Sequence, residues 1–196
     1  MKRICVYCGS RMGSDPQFAE SARSLAKELV SRGLTLVYGG GDVGLMGVMA
    51  QSTLNAGGEV IGVIPKVLMD RELGLDDATE LHIVESMHER KMLMAEKADG
   101  FIALPGGIGT LEELFEILTW AYIGLHRKPC GLLNVEHYFD SMISFLKHTE
   151  ANGFLHQSFE RFLMVHENPV ELLDAMESHT LPEVETVIEK ARESKN

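Results

Sequence analysis

Cysteine is scarce in this 196-residue sequence: Cys5, Cys8 and Cys130 are the only three. So small and odd a number builds no disulfide framework. Basic residues are also short, 18 Lys and Arg against 29 Asp and Glu, for a formal net charge of −11. The deficit argues against the basic footprint of nonspecific nucleic-acid binding and against anionic membrane surfaces. It leaves an anionic substrate open, because a local arginine and helix N-termini can reverse the sign inside a pocket. No stretch approaches the roughly 18 apolar residues of a membrane span. The opening Met1–Cys8 run is too short, and Cys8–Asp15 too polar, for a signal peptide. A cytoplasmic protein with neither nucleic acid nor membrane as partner is expected.

Several chemical signatures are missing as well. The glycine-rich run Gly39-Gly40-Gly41-Asp42-Val43-Gly44-Leu45-Met46-Gly47 is not followed by the Gly-Lys-Ser/Thr of a Walker loop. It contains the dinucleotide spacing Gly39-x-Gly41-x-x-Gly44, but after the second expected strand. The acid wanted at a strand end about twenty residues on is replaced by Glu59, which opens a strand. A nicotinamide cofactor is therefore not expected. No G-x-S-x-G elbow occurs, and no lysine stands out as a Schiff-base former. His88 has no neighbouring set of His, Asp and Glu at ligand spacing, so no metal is expected. Cys5-x-x-Cys8 reads as two small residues on the first strand and its exit, not as a redox pair or half a zinc site.

What remains is a regular alternation. Apolar runs at 3–7, 34–38, 59–64, 82–84, 100–104, 130–134 and 161–166 read as strands. Periodic segments at 16–32, 44–55, 87–98, 110–123, 136–150 and 169–178 read as helices. Ser14 or Asp15 can cap the first helix, with Pro16 in its first turn. The alternation, with short Gly/Pro junctions, implies an α/β fold: a doubly wound parallel sheet flanked by helices in a single domain. Residues 1–180 form that domain; 181–196 are a charged C-terminal tail. Residues 65–80 read as a mobile excursion at the sheet's edge. In such folds ligands bind at the carboxyl ends of strands. The glycine junctions at 9–13, 39–47 and 105–110 all fall there and converge on one site.

The centre of that site is Pro105-Gly106-Gly107-Ile108-Gly109-Thr110-Leu111-Glu112-Glu113, entered from the apolar run Gly100–Leu104. Pro105 stops the strand. The glycines let backbone N–H groups approach a ligand, and a helix N-terminus favours an anion. Glu112, Glu113 and Glu116 follow within about a turn and a half. They are either complements to the helix dipole or reactive carboxylates, and spacing alone does not choose among them. Ahead of them, Arg90 and Lys91 interrupt the apolar stripe Met87, Met94, Ala98. The pair either snorkels at a rim or turns inward to an anionic ligand or to carboxylates. Trp120 and Tyr122 read as core or subunit-contact residues.

Pro105-Gly106-Gly107-x-Gly109-Thr110-x-x-Glu113, preceded by Met87-x-x-Arg90-Lys91, resembles the LONELY GUY family of cytokinin-activating phosphoribohydrolases. Many of its members carry a lysine decarboxylase label. The likeness runs from Cys8-Gly9-Ser10 through the 39–47 glycines to Pro129–Asn134. It implies a Rossmann-like homodimer that hydrolyses the N-glycosidic bond of a purine nucleoside 5′-monophosphate, of cytokinin type or AMP. The products are free base and ribose 5-phosphate, and no cofactor is needed. It also implies that Arg90 and Glu113 are catalytic. Substrate contacts fall to Glu72, Lys91, Gly106, Gly107, Ile108, Gly109, Thr110, Leu111, Glu112 and Thr119. A non-catalytic nucleotide carrier of the same fold is the alternative.

Overall fold

Strand β1 (Arg3–Tyr7) is buried along four of its five residues, so both of its faces must be covered. The computed structural model describes residues 1–69, 74, 77–155 and 157–180. Among them are β2 (Thr35–Tyr38), β3 (Val60–Pro65), β4 (Glu80–Val84), β5 (Gly100–Ala103), β6 (Cys130–Leu133) and β7 (Leu163–His166). Among the described residues six α-helices flank these strands: α1 (Pro16–Ser31), α2 (Gly44–Asn55), α3 (Met87–Lys97), α4 (Ile108–Tyr122), α5 (Asp140–Ala151) and α6 (Pro169–Ser178). The sheet order is β4-β3-β2-β1-β5-β6-β7, with every pair parallel. The doubly wound, Rossmann-like sheet is thus the fold observed. Its order reverses direction between β1 and β5, which opens a crevice at their carboxyl ends.

Alternate residues of each strand feed two cores, one per face, as the period of two demands. Ile4, Val6, Leu36, Tyr38 and Ile102 pack with α1, α2 and α6. Cys5, Tyr7, Val37, Phe101 and Leu132 pack with α3, α4 and α5. Strands buried on both faces read as continuous apolar runs, which is why the sequence shows them plainly. Edge strand β4 is the exception, exposed along much of its length.

Boundaries shifted where caps or strain intervened. Asp15 is the cap of α1, its carboxylate accepting from the Gln17 N–H at 2.8 Å. Helix α4 starts at Ile108, before Thr110, with Gly107 as its cap. The segment expected to be helical from 136 begins instead as a short 3-10 turn (Val135–His137), and α5 starts at Asp140. There Glu136 (φ 47°) and His137 (φ 58°) hold left-handed conformations, which interrupt a helix. Lys66–Leu68 forms a 3-10 turn in the expected excursion. Glu72 and the 181–196 tail lie outside the described residues.

Candidate active site

Strand ends across the sheet deliver their loops to one cavity of about 620 Å³. From β1 come Cys8–Gly13, from β5 Pro105–Gly107, and from β6 Tyr138; β2 contributes Gly39, behind Arg90. The first two loops are tied directly: the Gly9 N–H donates to the Pro105 carbonyl at 3.1 Å, and the Leu45 N–H donates to the Gly9 carbonyl at 2.9 Å. Glycine is required at the seam, since a Cβ on Gly106 would overlap the Thr110 hydroxyl and press on the Gly9 nitrogen. At Gly107 and Gly109 the reverse holds, because a Cβ there would meet nothing. These two glycines leave open space in front of the α4 N-terminus, whose cap makes no side-chain hydrogen bond. Its first N–H groups therefore face a cavity with the dipole that suits an anion.

Arg90, on α3, is 5% exposed, yet it reaches the cavity wall. Its guanidinium lies against Gly39, where a methyl would collide with Nη2. Across from it Glu113, on α4, lines the same wall, with Arg90 Nη2 3.9 Å from Glu113 Oε1. Both side chains are nearly withdrawn from solvent, at 6% and 12% exposure. An ion pair so placed feels a lower dielectric than a surface pair, and removing one partner strands the other. The turned-inward alternative for Arg90 is the one the fold realises.

Lys91 goes elsewhere. Its ammonium donates to Glu112 Oε1 at 2.6 Å and to Glu116 Oε1 at 2.9 Å. Burial alone would lower its pKa, but the two carboxylates prevail and hold it above the ordinary value. The adjacent pairs Arg90–Glu113 and Lys91–Glu112 thus set α3 in register with α4. Thr119 is exposed and donates to the Phe115 carbonyl of its own helix at 2.6 Å. Of the residues expected at the site, the fold gathers Arg90, Gly106, Gly107, Ile108, Gly109, Thr110 and Glu113 around the cavity. Lys91, Leu111, Glu112 and Thr119 do not line it.

The three thiols are free and buried. Burial drives the Cys8 thiol far above its ordinary value; the Glu113 charge adds to the shift and Arg90 opposes it. Burial likewise pushes Cys130 up to about 12. None is a ready thiolate. Among the described residues no group of three His, Cys, Asp or Glu side chains could hold a metal ion.

The wall also includes Met12, Phe18, Leu68 and Tyr138, which the sequence does not mark as site residues. Phe18, on α1, packs partly against the core and also meets Tyr138 edge-on, ring centres 5.4 Å apart. Tyr138 Oη donates to the Gly106 carbonyl at 2.7 Å. A signal for it existed, because it follows the carboxyl end of β6.

Similarity to known proteins can now be set beside this geometry. Residues 46–176 match the protein family described as "Possible lysine decarboxylase". Cytokinin riboside 5′-monophosphate phosphoribohydrolase LOG7 of Arabidopsis thaliana is 48% identical over 189 residues, covering 96% of this chain and 87% of that protein. The enzyme LOG of rice, Oryza sativa subsp. japonica, bears the same activity name; it is 48% identical across 94% of this chain and 76% of its own. The chain belongs to this family. Membership in the phosphoribohydrolase family accounts for the paired motifs of α3 and α4. Among solved structures, the molybdenum cofactor carrier protein of Chlamydomonas reinhardtii has a TM-score of 0.67 at 19% identity, covering 90% of this chain and 96% of that one. The molybdenum cofactor binding protein of Rippkaea orientalis has the same score at 21% identity, covering 91% and 97%. At that identity the likeness is one of fold.

Proposed function

We propose that this chain is a phosphoribohydrolase that cuts the N-glycosidic bond of a purine nucleoside 5′-monophosphate, of cytokinin type or AMP. The observation that carries the reading is the buried Arg90–Glu113 pair on the wall of a nucleotide-sized cavity, beside the open N-terminus of α4. Relatives with that activity in their names, at about half identity, support it. The 5′-phosphate rests on the N–H groups of Gly107, Ile108, Gly109 and Thr110. As the bond from the anomeric carbon to the base nitrogen lengthens, positive charge grows on the ribose. Glu113 stabilises that charge and takes a proton from the attacking water, while Arg90 keeps it ionised and aimed. The water oxygen bonds to the anomeric carbon. The electron pair of the broken bond leaves with the base, which is then protonated.

The proposal keeps Glu72, Lys91, Leu111, Glu112 and Thr119 in the substrate set implied by the family resemblance. It also includes a homodimer, supported by large apolar side chains exposed on α3 and past the end of α4: Met92, Ile123 and Leu125. Met92 and Leu125 border one hollow of about 250 Å³ with Trp120. A cytoplasmic location is part of the reading, supported by three unbridged thiols. No helix among the described residues is long and apolar enough to cross a membrane.

The test is base release from AMP and from isopentenyl-AMP by purified protein. Free adenine or free prenylated base is the expected product. Glu113→Gln should lower turnover by about 10²- to 10⁴-fold with the fold retained. Tight AMP binding with no base from either nucleotide would instead favour the carrier reading.

A further inference from the structure

The turn between β6 and α5 is built at a conformational cost. Glu136 and His137 are the two non-glycine residues with positive φ among the described residues, and they are consecutive. L-residues visit this region reluctantly, and a pair of them persists only where surroundings over-determine it. The clamp is Asn134, 5% exposed. Its side-chain oxygen accepts from the Phe139 N–H at 2.8 Å, and its amide nitrogen donates to Asp140 Oδ1 at 2.8 Å. Its own backbone N–H donates to the His166 carbonyl at 2.8 Å.

What the turn presents is Tyr138. Its ring meets Phe18 and Phe139 edge-on, at 5.4 and 4.9 Å between centres. Its hydroxyl donates to the Gly106 carbonyl at 2.7 Å. That carbonyl belongs to the peptide unit joining Gly106 to Gly107, the unit that leads into α4. A trans peptide is planar, so its carbonyl and its N–H point opposite ways. Holding the Gly106 oxygen therefore fixes where the Gly107 N–H aims. Two glycines flank that plane, and glycine itself restrains backbone rotation little.

We propose that Tyr138 is a positioning residue: by holding the Gly106 carbonyl it orients the Gly106–Gly107 peptide, and so sets the affinity of the α4 N-terminus for the phosphate of a sugar phosphate or nucleotide. The proposal rests on the phosphoribohydrolase reading for the identity of the ligand, but its test does not depend on turnover. Tyr138→Phe deletes the hydroxyl and keeps the ring against its two neighbours. Equilibrium binding of ribose 5-phosphate and of adenine is measured by calorimetry for both proteins, alongside melting temperature and base release from AMP. One lost hydrogen bond predicts ribose 5-phosphate affinity lower by about three- to tenfold. Adenine affinity should be unchanged, and KM for AMP should rise more than kcat falls. Equal ribose 5-phosphate affinity in the two proteins overturns the proposal. So does weakening of both ligands together with a lower melting temperature, which would mark a general distortion. Failure of the wild type to bind ribose 5-phosphate overturns it as well. If the wild type releases no base yet its ribose 5-phosphate binding depends on Tyr138, the positioning role stands and the hydrolase reading falls.

Discussion

A methyl group on Gly39 would overlap the Arg90 guanidinium. The backbone of Gly39 lies outside the left-handed region, so the residue is glycine for space and not for φ. The atom in the way is the end of a long side chain, which can move without unfolding β2. Gly39→Ala should thus fold with a melting temperature near that of the wild type, but with Arg90 displaced from Glu113. Because small misplacements of catalytic groups are costly, kcat/KM should fall on the order of 100-fold. Steady-state kinetics beside a thermal melt check this. A large loss of stability with activity retained would contradict the placement of Arg90. In the sequence Gly39 is one glycine of a strand-end junction; in the fold it is the seat of an arginine.

At the scale of elements, His126 joins the end of α4 to the approach to β6. Its Nε2 lies 2.9 Å from the Ile117 carbonyl, and its Nδ1 accepts from the Lys128 N–H at 3.1 Å. Both contacts together require the neutral ring with its proton on Nε2. Burial lowers the His126 pKa below its ordinary 6.5; the Ile117 bond works against that shift and the Lys128 charge with it. A depressed histidine pKa means the unfolded chain binds the proton more readily than the folded one. The stabilisation is fully present above about pH 6.5 and is lost as pH falls through the lower folded value. Melting temperature should therefore drop between pH 7.5 and pH 5, and His126→Gln should flatten the drop. Parallel slopes in the two proteins would show that His126 is not the group that titrates.

For the whole molecule, the exposed apolar side chains matter most. Met92, Ile123 and Leu125 are 49%, 53% and 69% exposed. A large apolar cluster left bare on a single chain marks a contact surface. Sedimentation should report a dimer for the wild type, and Leu125→Glu, which buries a charge in the contact, should shift it toward monomer. A wild-type monomer at micromolar concentration would remove the dimer from the proposal. The sheet itself needs no partner, since both of its faces are already covered by this chain's helices.

The sequence by itself determined the sheet's class and the turn at Pro105–Thr110. Strands buried on both faces must be continuously apolar, and a strand that hands over to a helix through Pro-Gly-Gly marks its turn in its residue types, with Gly106 fixed by the close approach of Thr110 and Gly9. The motif at Pro105–Glu113 and the pair Arg90-Lys91 were legible for that reason. Only the tertiary structure separated Arg90 from Lys91, sending one to the cavity wall and the other to Glu112 and Glu116. Neighbours on a helix point about 100° apart, and which direction meets a cavity depends on the packing of α3 against α4. It also decided the role of Phe18 and Tyr138, because both reach the cavity across loops distant in sequence. Periodicity reports which face of an element is apolar; it does not report whether that face meets a core or the wall of a site.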